Sequence, residues 1–188
     1  MSRSRIAKSF LKQSVVQTTL LNYHTFHRNH RKLVIKQLVD KFSLKAQHLA
    51  QLHELDELLG FSQKVFTGQQ HYLAQRIQEL LDLCAEDEEV VASASSLKSM
   101  LLFLLKLTHF SPPGMTVSED GWFHLHWKKE SFHLVTLRFK AEHLDYVVFL
   151  PSQESNHPIV LNGKIGVLDF HQVFVEQTSA IRNLIVGY

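Results

Sequence analysis

Three histidines carry the most specific chemistry in this sequence. His124 and His126 alternate along one expected strand, and His133 lies on the next. Side chains two apart share one face of a strand. If Lys128-Lys129-Glu130-Ser131 closes the turn between the strands, Trp127 stands opposite Phe132 and His126 opposite His133. His124 then joins them, and three imidazoles lie in one cross-strand neighbourhood. Three His with a water in the fourth position is an arrangement that binds zinc and activates the water. A one-residue slip of register dissolves the cluster. The competing reading is a polar sheet edge facing solvent, since no acidic residue is fixed nearby to orient the imidazoles.

The second constellation is basic. His24-Thr25-Phe26-His27-Arg28-Asn29-His30-Arg31-Lys32 places His24, Arg28, Arg31 and Lys32 close to one side of a helix. Arg3, Arg5, Lys8 and Lys12 add a second stripe. Such stripes neutralise phosphates and release counterions, so these eight residues are the nucleic-acid-binding candidates. The charge split is sharp. Residues 1–45 carry ten Lys/Arg against Asp40 alone, a net +9, and residues 46–90 carry two Lys/Arg against nine acids, a net −7. The basic block therefore contacts something acidic, or it neutralises the acidic block of the same chain, or it is a solvated surface. No finger spacing, RNP motif or heptad-plus-basic pattern marks a specific reader.

Nucleophilic chemistry finds little support. Cys84 sits on a leucine-rich helical face, where a packed thiol is the expectation. Gly163-Lys164-Ile165-Gly166 lacks the framing of a phosphate loop, and no Gly-x-Ser-x-Gly segment occurs. No cofactor is expected.

Composition bounds the rest. The 188 residues are 45% apolar and 20% charged, an ordinary globular balance for one domain with or without an appendage. A single cysteine excludes an intramolecular disulfide framework. The longest apolar run, Met100–Leu105, is far short of the roughly 20 residues of a spanning helix. No secretory h-region opens the chain, so a cytoplasmic protein without a membrane partner is expected.

The elements that must position these residues change character at Ser111-Pro112-Pro113-Gly114, a strong breaker. The expected fold is α+β: a helical region over 1–110, basic in 1–45 and acidic in 46–90, then an antiparallel β-meander with a C-terminal helix over 111–188. Helices are expected over 4–20 and 24–41. A third, capped by Ser43, carries Leu49, Leu52, Leu55 and Leu59 and ends at Gly60. A fourth covers 69–84. Glu86-Asp87-Glu88-Glu89 is expected to open a fifth, whose Leu97, Met100, Leu101, Leu104 and Leu105 make it the most buried. Strands are expected near 115–118, 121–127, 132–140 and 144–150, with a shorter one near 159–161, and a last helix over 169–186. Phe123, Leu125 and Trp127 are assigned to one sheet face, and Val135, Leu137, Tyr146 and Val148 to the other. One face then meets the helices, and the other meets a partner or the last helix.

Residues 92–150 resemble a group of small bacterial proteins with a leucine-rich helix, a Pro-containing turn, and a hairpin V-S-x-D-G-x-x-x-L-x-W, followed by a strand ending in an aromatic. The matching residues are Leu101, Leu104, Pro112 or Pro113, Val117, Ser118, Asp120, Gly121, Leu125, Trp127, Phe139 and Tyr146. The resemblance covers about a third of the chain. Before residue 90 the group's Trp-Asp-Gly-Tyr segment is absent and the basic helices stand instead. The resemblance implies no activity; it implies an accessory or antitoxin-like component of a bacterial defence or mobile locus.

Three functions follow as expectations. The first is a non-catalytic accessory subunit that docks on a larger protein, in a defence or toxin-neutralising assembly, with its basic helices near DNA or RNA. The alternative is a stand-alone nucleic-acid-binding module or regulator. The third is a metal-dependent enzyme using His124, His126 and His133.

Overall fold

The computed structural model describes residues 40–187 apart from 88, 108, 131, 132, 153–156 and 177. The expected helix over 4–20, nearly all of that over 24–41, and all eight nucleic-acid candidates from Arg3 to Lys32 lie outside the described residues. The chain groups into two units, Met1–Leu44 and Lys45–Tyr188. The fold is α+β, with helices preceding a five-stranded antiparallel sheet and two short helical segments after it.

A first helix, α1, covers 40–51. Lys98 reaches across to its end and donates to the Ala50 carbonyl at 2.6 Å and the Leu52 carbonyl at 2.8 Å. A cation there satisfies orphan carbonyls and matches the negative end of the helix. The chain breaks at 52–54 and restarts as α2, Leu55–Val65. The sequence signal for that start is Glu54-x-x-Glu57. Glu57 accepts from the His53 amide at 3.0 Å and the Glu54 amide at 3.3 Å, and these bonds hold its carboxyl below its ordinary range. Gly60 therefore ends no helix. It lies inside α2, where the period of Leu55 and Leu59 continues through Phe61 and Ser62.

Helix α3, His71–Glu86, buries Leu73, Ala74, Ile77 and Leu80 on one stripe. Helix α4 is Ala94–Lys106, later than the acidic run that was expected to open it. Its cap is Ser93, whose hydroxyl accepts from the Ser96 amide at 3.3 Å. Glu86 instead closes α3, and Asp87 lies beyond it. Leu97, Met100, Leu101, Phe103 and Leu104 are all fully buried, so α4 is the central helix.

The strands are β1 Gly114–Val117, β2 Phe123–Glu130, β3 His133–Phe139, β4 His143–Leu150 and β5 Ile159–Gly166, in sequential order. Strand β5 is longer than its apolar run because Asn162–Gly166 pairs with β4 as far as His143. Leu125 pairs with Leu137 and Leu137 with Tyr146, while Trp127 pairs with Val135 and Val135 with Val148. Residues directly opposite point the same way, so all of these share one face. The assignment to two faces is corrected accordingly.

That single apolar face packs against α4 and the C-terminal helical segments. Val167–Phe170 (α5) continues as a wider-wound turn over His171–Val175, and Ser179–Arg182 (α6) continues likewise over Asn183–Gly187. They replace the one expected helix because Thr178 is extended, and Arg182 turns back to donate to the carbonyls of Val175 and Glu176. Phe103 of α4 meets Trp127, Phe139 and Phe170, and Phe170 and Phe174 pack on Tyr146. The helices and sheet of Lys45–Tyr188 thus share one core.

At the top of the sheet, Ser96 fastens α4 to two strands. Its hydroxyl donates to the Phe139 carbonyl at 2.7 Å and accepts from the Phe123 amide at 2.8 Å. It bridges the two backbone groups that open where the β2–β3 ladder ends.

Candidate functional site

Because α4, α5 and α6 all lie on one face, no helix among the described residues covers the other face of the sheet. Its side chains follow from the register. One row across the sheet is Thr116, His124, Arg138, Asp145 and Lys164; the next is Gly114, His126, Thr136, Val147 and Asn162; a third is Lys128, Leu134, Phe149 and Val160. The expected register is overturned. Trp127 faces Val135 rather than Phe132, and His126 faces Thr136. The polar run at 128–130, which looked like a turn, extends β2 until Glu130 faces His133, with a bulge between Lys128 and Glu130. His124 and His126 share the open face as expected. His133 stands at the far end of the hairpin, in the alternation that sends Val135, Leu137 and Phe139 inward. Among the described residues no group of three or more His, Cys, Asp or Glu is arranged to hold a metal ion.

His124 instead bonds to an arginine. The Arg138 Nε–H donates to His124 Nε2 at 3.0 Å, which requires a neutral imidazole with Nε2 as acceptor. Burial lowers the His124 pKa, and the charges of Arg138 and His126 lower it further. His126 lies over β1, where a Cβ on Gly114 would stand 1.9 Å from its Nε2. Only glycine lets the backbone approach this imidazole so closely.

Asp145, opposite Arg138, is taken by another cation. Its Oδ2 lies 2.9 Å from Lys140 Nζ. Burial pushes its carboxyl up, but the Lys140 hydrogen bond and the charges of Lys140, Lys164 and His143 outweigh it and hold the pKa below the ordinary value. Lys140 also sits 6.0 Å from the centre of the Trp122 ring.

The depressed His124 has a stability consequence whose sign is definite. Above about pH 6.5 neither state binds the proton; below it the unfolded chain takes up a proton that the folded imidazole refuses. His171 acts in the same direction, since burial lowers its pKa against the pull of Glu176 at 3.1 Å. The urea midpoint should therefore drop from pH 7 to pH 5, and the drop should shrink in His124→Gln. An identical drop in that variant would remove His124 as a cause.

The second feature is an edge. Strand β5 closes the sheet order, and among the described residues no strand lies beside its far side. It carries Ile159, Val160 and Leu161 in succession at 49%, 47% and 36% exposure. The opposite edge is different: β1 is four residues long, and α3 reaches it through Arg76, which donates to the Met115 carbonyl at 3.5 Å. Sequence reasoning saw the apolar run at 159–161 but gave no reason to place it at an open edge, which is decided by the strand order.

Cys84 lines a cleft of about 390 Å³ with Leu55, Leu59, Leu81 and Val91. Burial raises the thiol pKa and the charge of Asp87 adds to it, the opposite of what a nucleophile needs. Among the described residues no helix is long and apolar enough to cross a membrane. Compared with protein-family models, curated proteins and solved structures, the chain matches none of them.

Proposed function

We propose that this chain is a non-catalytic interaction subunit that docks on a larger protein by strand addition at β5. The bare apolar edge of β5 carries this reading. An unpaired edge offers a row of backbone donors and acceptors that only another strand satisfies. Val160 projects to the open face and Leu161 to the opposite one, so the incoming segment should be extended with apolar residues on both sides. Main-chain bonds supply the affinity and the flanking side chains the selectivity. The +9 charge of residues 1–45 supports DNA or RNA close to the same assembly. A bacterial defence or toxin-neutralising complex is the setting that the resemblance of residues 92–150 implies.

The experiment is capture of the tagged full chain from its host with and without nuclease, beside the variant Val160→Lys with Leu161→Lys. The reading expects a stoichiometric protein that survives nuclease and is lost from the variant, because edge lysines block strand pairing. Retention of the same protein by the variant, or of nothing but nuclease-sensitive material by either, would sink it.

A further inference from the structure

We propose that the open face of the sheet is a binding surface for single-stranded nucleic acid, with Arg138, Lys164 and Lys128 on the backbone phosphates and Trp122 and Phe149 stacking on bases. This proposal uses side chains of the open face, Lys164 of β5 among them, and not the β5 backbone edge, so it stands or falls independently of the docking reading.

A polar outer face is by itself ordinary for an antiparallel sheet. Its charge and its unused donors distinguish this one. The register rows bring three Lys/Arg, namely Lys128, Arg138 and Lys164, and one carboxylate, Asp145, which Lys140 just beyond β3 neutralises. That is a net +3 with every histidine neutral; Asp169 lies only at the rim, beside Gly166. Within the rows the one acid is already committed to Lys140. Arg138, directly across from it, has turned to His124 and spends only its Nε there. Among the described residues its two terminal nitrogens meet no carboxylate. A guanidinium in this state presents a planar fork of donors suited to a phosphate. His126 and the hydroxyls of Thr116 and Thr136 flank it on the same face.

The aromatics fix the class of ligand. Trp122 lies at one end of the face against Lys140, and Phe149 lies near the other end, between Leu134 and Val160. Three rows of two residues separate them, about 20 Å at the rise of an extended strand. A path of that length, cationic between two rings, suits a strand whose bases are free to stack. A duplex keeps its bases stacked inside, and among the described residues no helix or ribbon projects from this face to enter a groove. Acidic protein would use the cations but not the rings.

The test uses the full chain and labelled oligonucleotides of about 15 residues, in DNA and RNA forms, matching the footprint of such surfaces. Arg138→Gln with Lys164→Gln should weaken binding at least tenfold. The salt slope should flatten by about 1.4, because each lost phosphate contact on a single strand is worth about 0.7. Trp122→Ala should weaken binding while leaving that slope unchanged. Iodouracil-bearing strands should photo-crosslink to the peptides holding Trp122 or Phe149. Lys164→Gln alone provides the reading at an exposed site if the double variant misfolds. Unchanged affinity in these variants, with crosslinks confined to residues 1–45, would overturn the proposal. So would equal competition by duplex or by an acidic polypeptide, or no binding at all.

Discussion

Phe103→Ala should lower the stability of the folded chain by about 4 kcal/mol, within the range of roughly 3–5 found for removing a buried phenylalanine. The ring is fully buried and sits where three layers meet. It packs edge-on against Trp127 at 6.5 Å and Phe170 at 6.2 Å, and tilted against Phe139 at 5.6 Å. Sheet, central helix and C-terminal segment therefore all lose contact at once, and the aromatic pairs add about 0.5–1.5 kcal/mol each beyond burial. Collapse into the space is hindered because each neighbouring ring belongs to a different element. Domains are stable by only about 5–15 kcal/mol, so the loss is a large fraction of the total. Urea unfolding followed by circular dichroism gives the number. Val173→Ala is the control, since Val173 is 42% exposed and its truncation should change stability by less than about 0.5 kcal/mol. A loss below about 1.5 kcal/mol at Phe103 would mean that the three layers do not meet there.

Gly121→Ala should cost about 3 kcal/mol for two separable reasons. Gly121 ends the turn from Ser118, with its amide donating to the Ser118 carbonyl at 2.8 Å, and it has φ of +76°. A side chain in that region costs about 1–2 kcal/mol. The added Cβ would also stand 1.9 Å from the Val91 carbonyl oxygen, which is backbone and cannot swing aside. Moving it disturbs the bond from the Ser93 amide to the Gly121 carbonyl at 2.9 Å. Ser93 is the cap of α4, and Ser96 one turn later holds Phe123 and Phe139, so the shift reaches the helix–sheet joint. Gly60→Ala gives the contrast. Nothing lies within 4 Å of its Cβ position inside α2, so the helix should gain about 0.5–1 kcal/mol. If both substitutions behave alike, the close approach at Gly121 is wrong.

The elements that the residues announced are those with local causes. The buried character of α4 follows from its apolar run Met100–Leu105 with Leu97 a turn before it, and the hairpin at Asp120-Gly121 follows from the one residue type that turns there without strain. The helix breaks at 52–54 and at Thr178 were not legible from periodicity, because Leu49, Leu52, Leu55 and Leu59 keep their spacing across the break at 52–54. The capping pair Glu54 and Glu57 was the available signal. The histidine site failed on register. Lys128-Lys129-Glu130 reads as a turn by polarity, yet it continues β2 as an exposed end, and three residues of offset separate His133 from His126. His124 and His126 do share a face, as period two requires. Their real partners, Arg138 and the Gly114 backbone, are set by pairings that no single strand encodes. The same holds for the β5 edge, which only the strand order exposes.

Amide hydrogen exchange of the full chain, alone and in the complex isolated by capture, tests the docking reading most directly. Strand addition predicts that amides of Ile159–Gly166 facing away from β4 exchange freely in the isolated chain and become protected on complex formation, with Val160→Lys and Leu161→Lys abolishing the change. Protection that appears on other surfaces while these amides continue to exchange freely would contradict it.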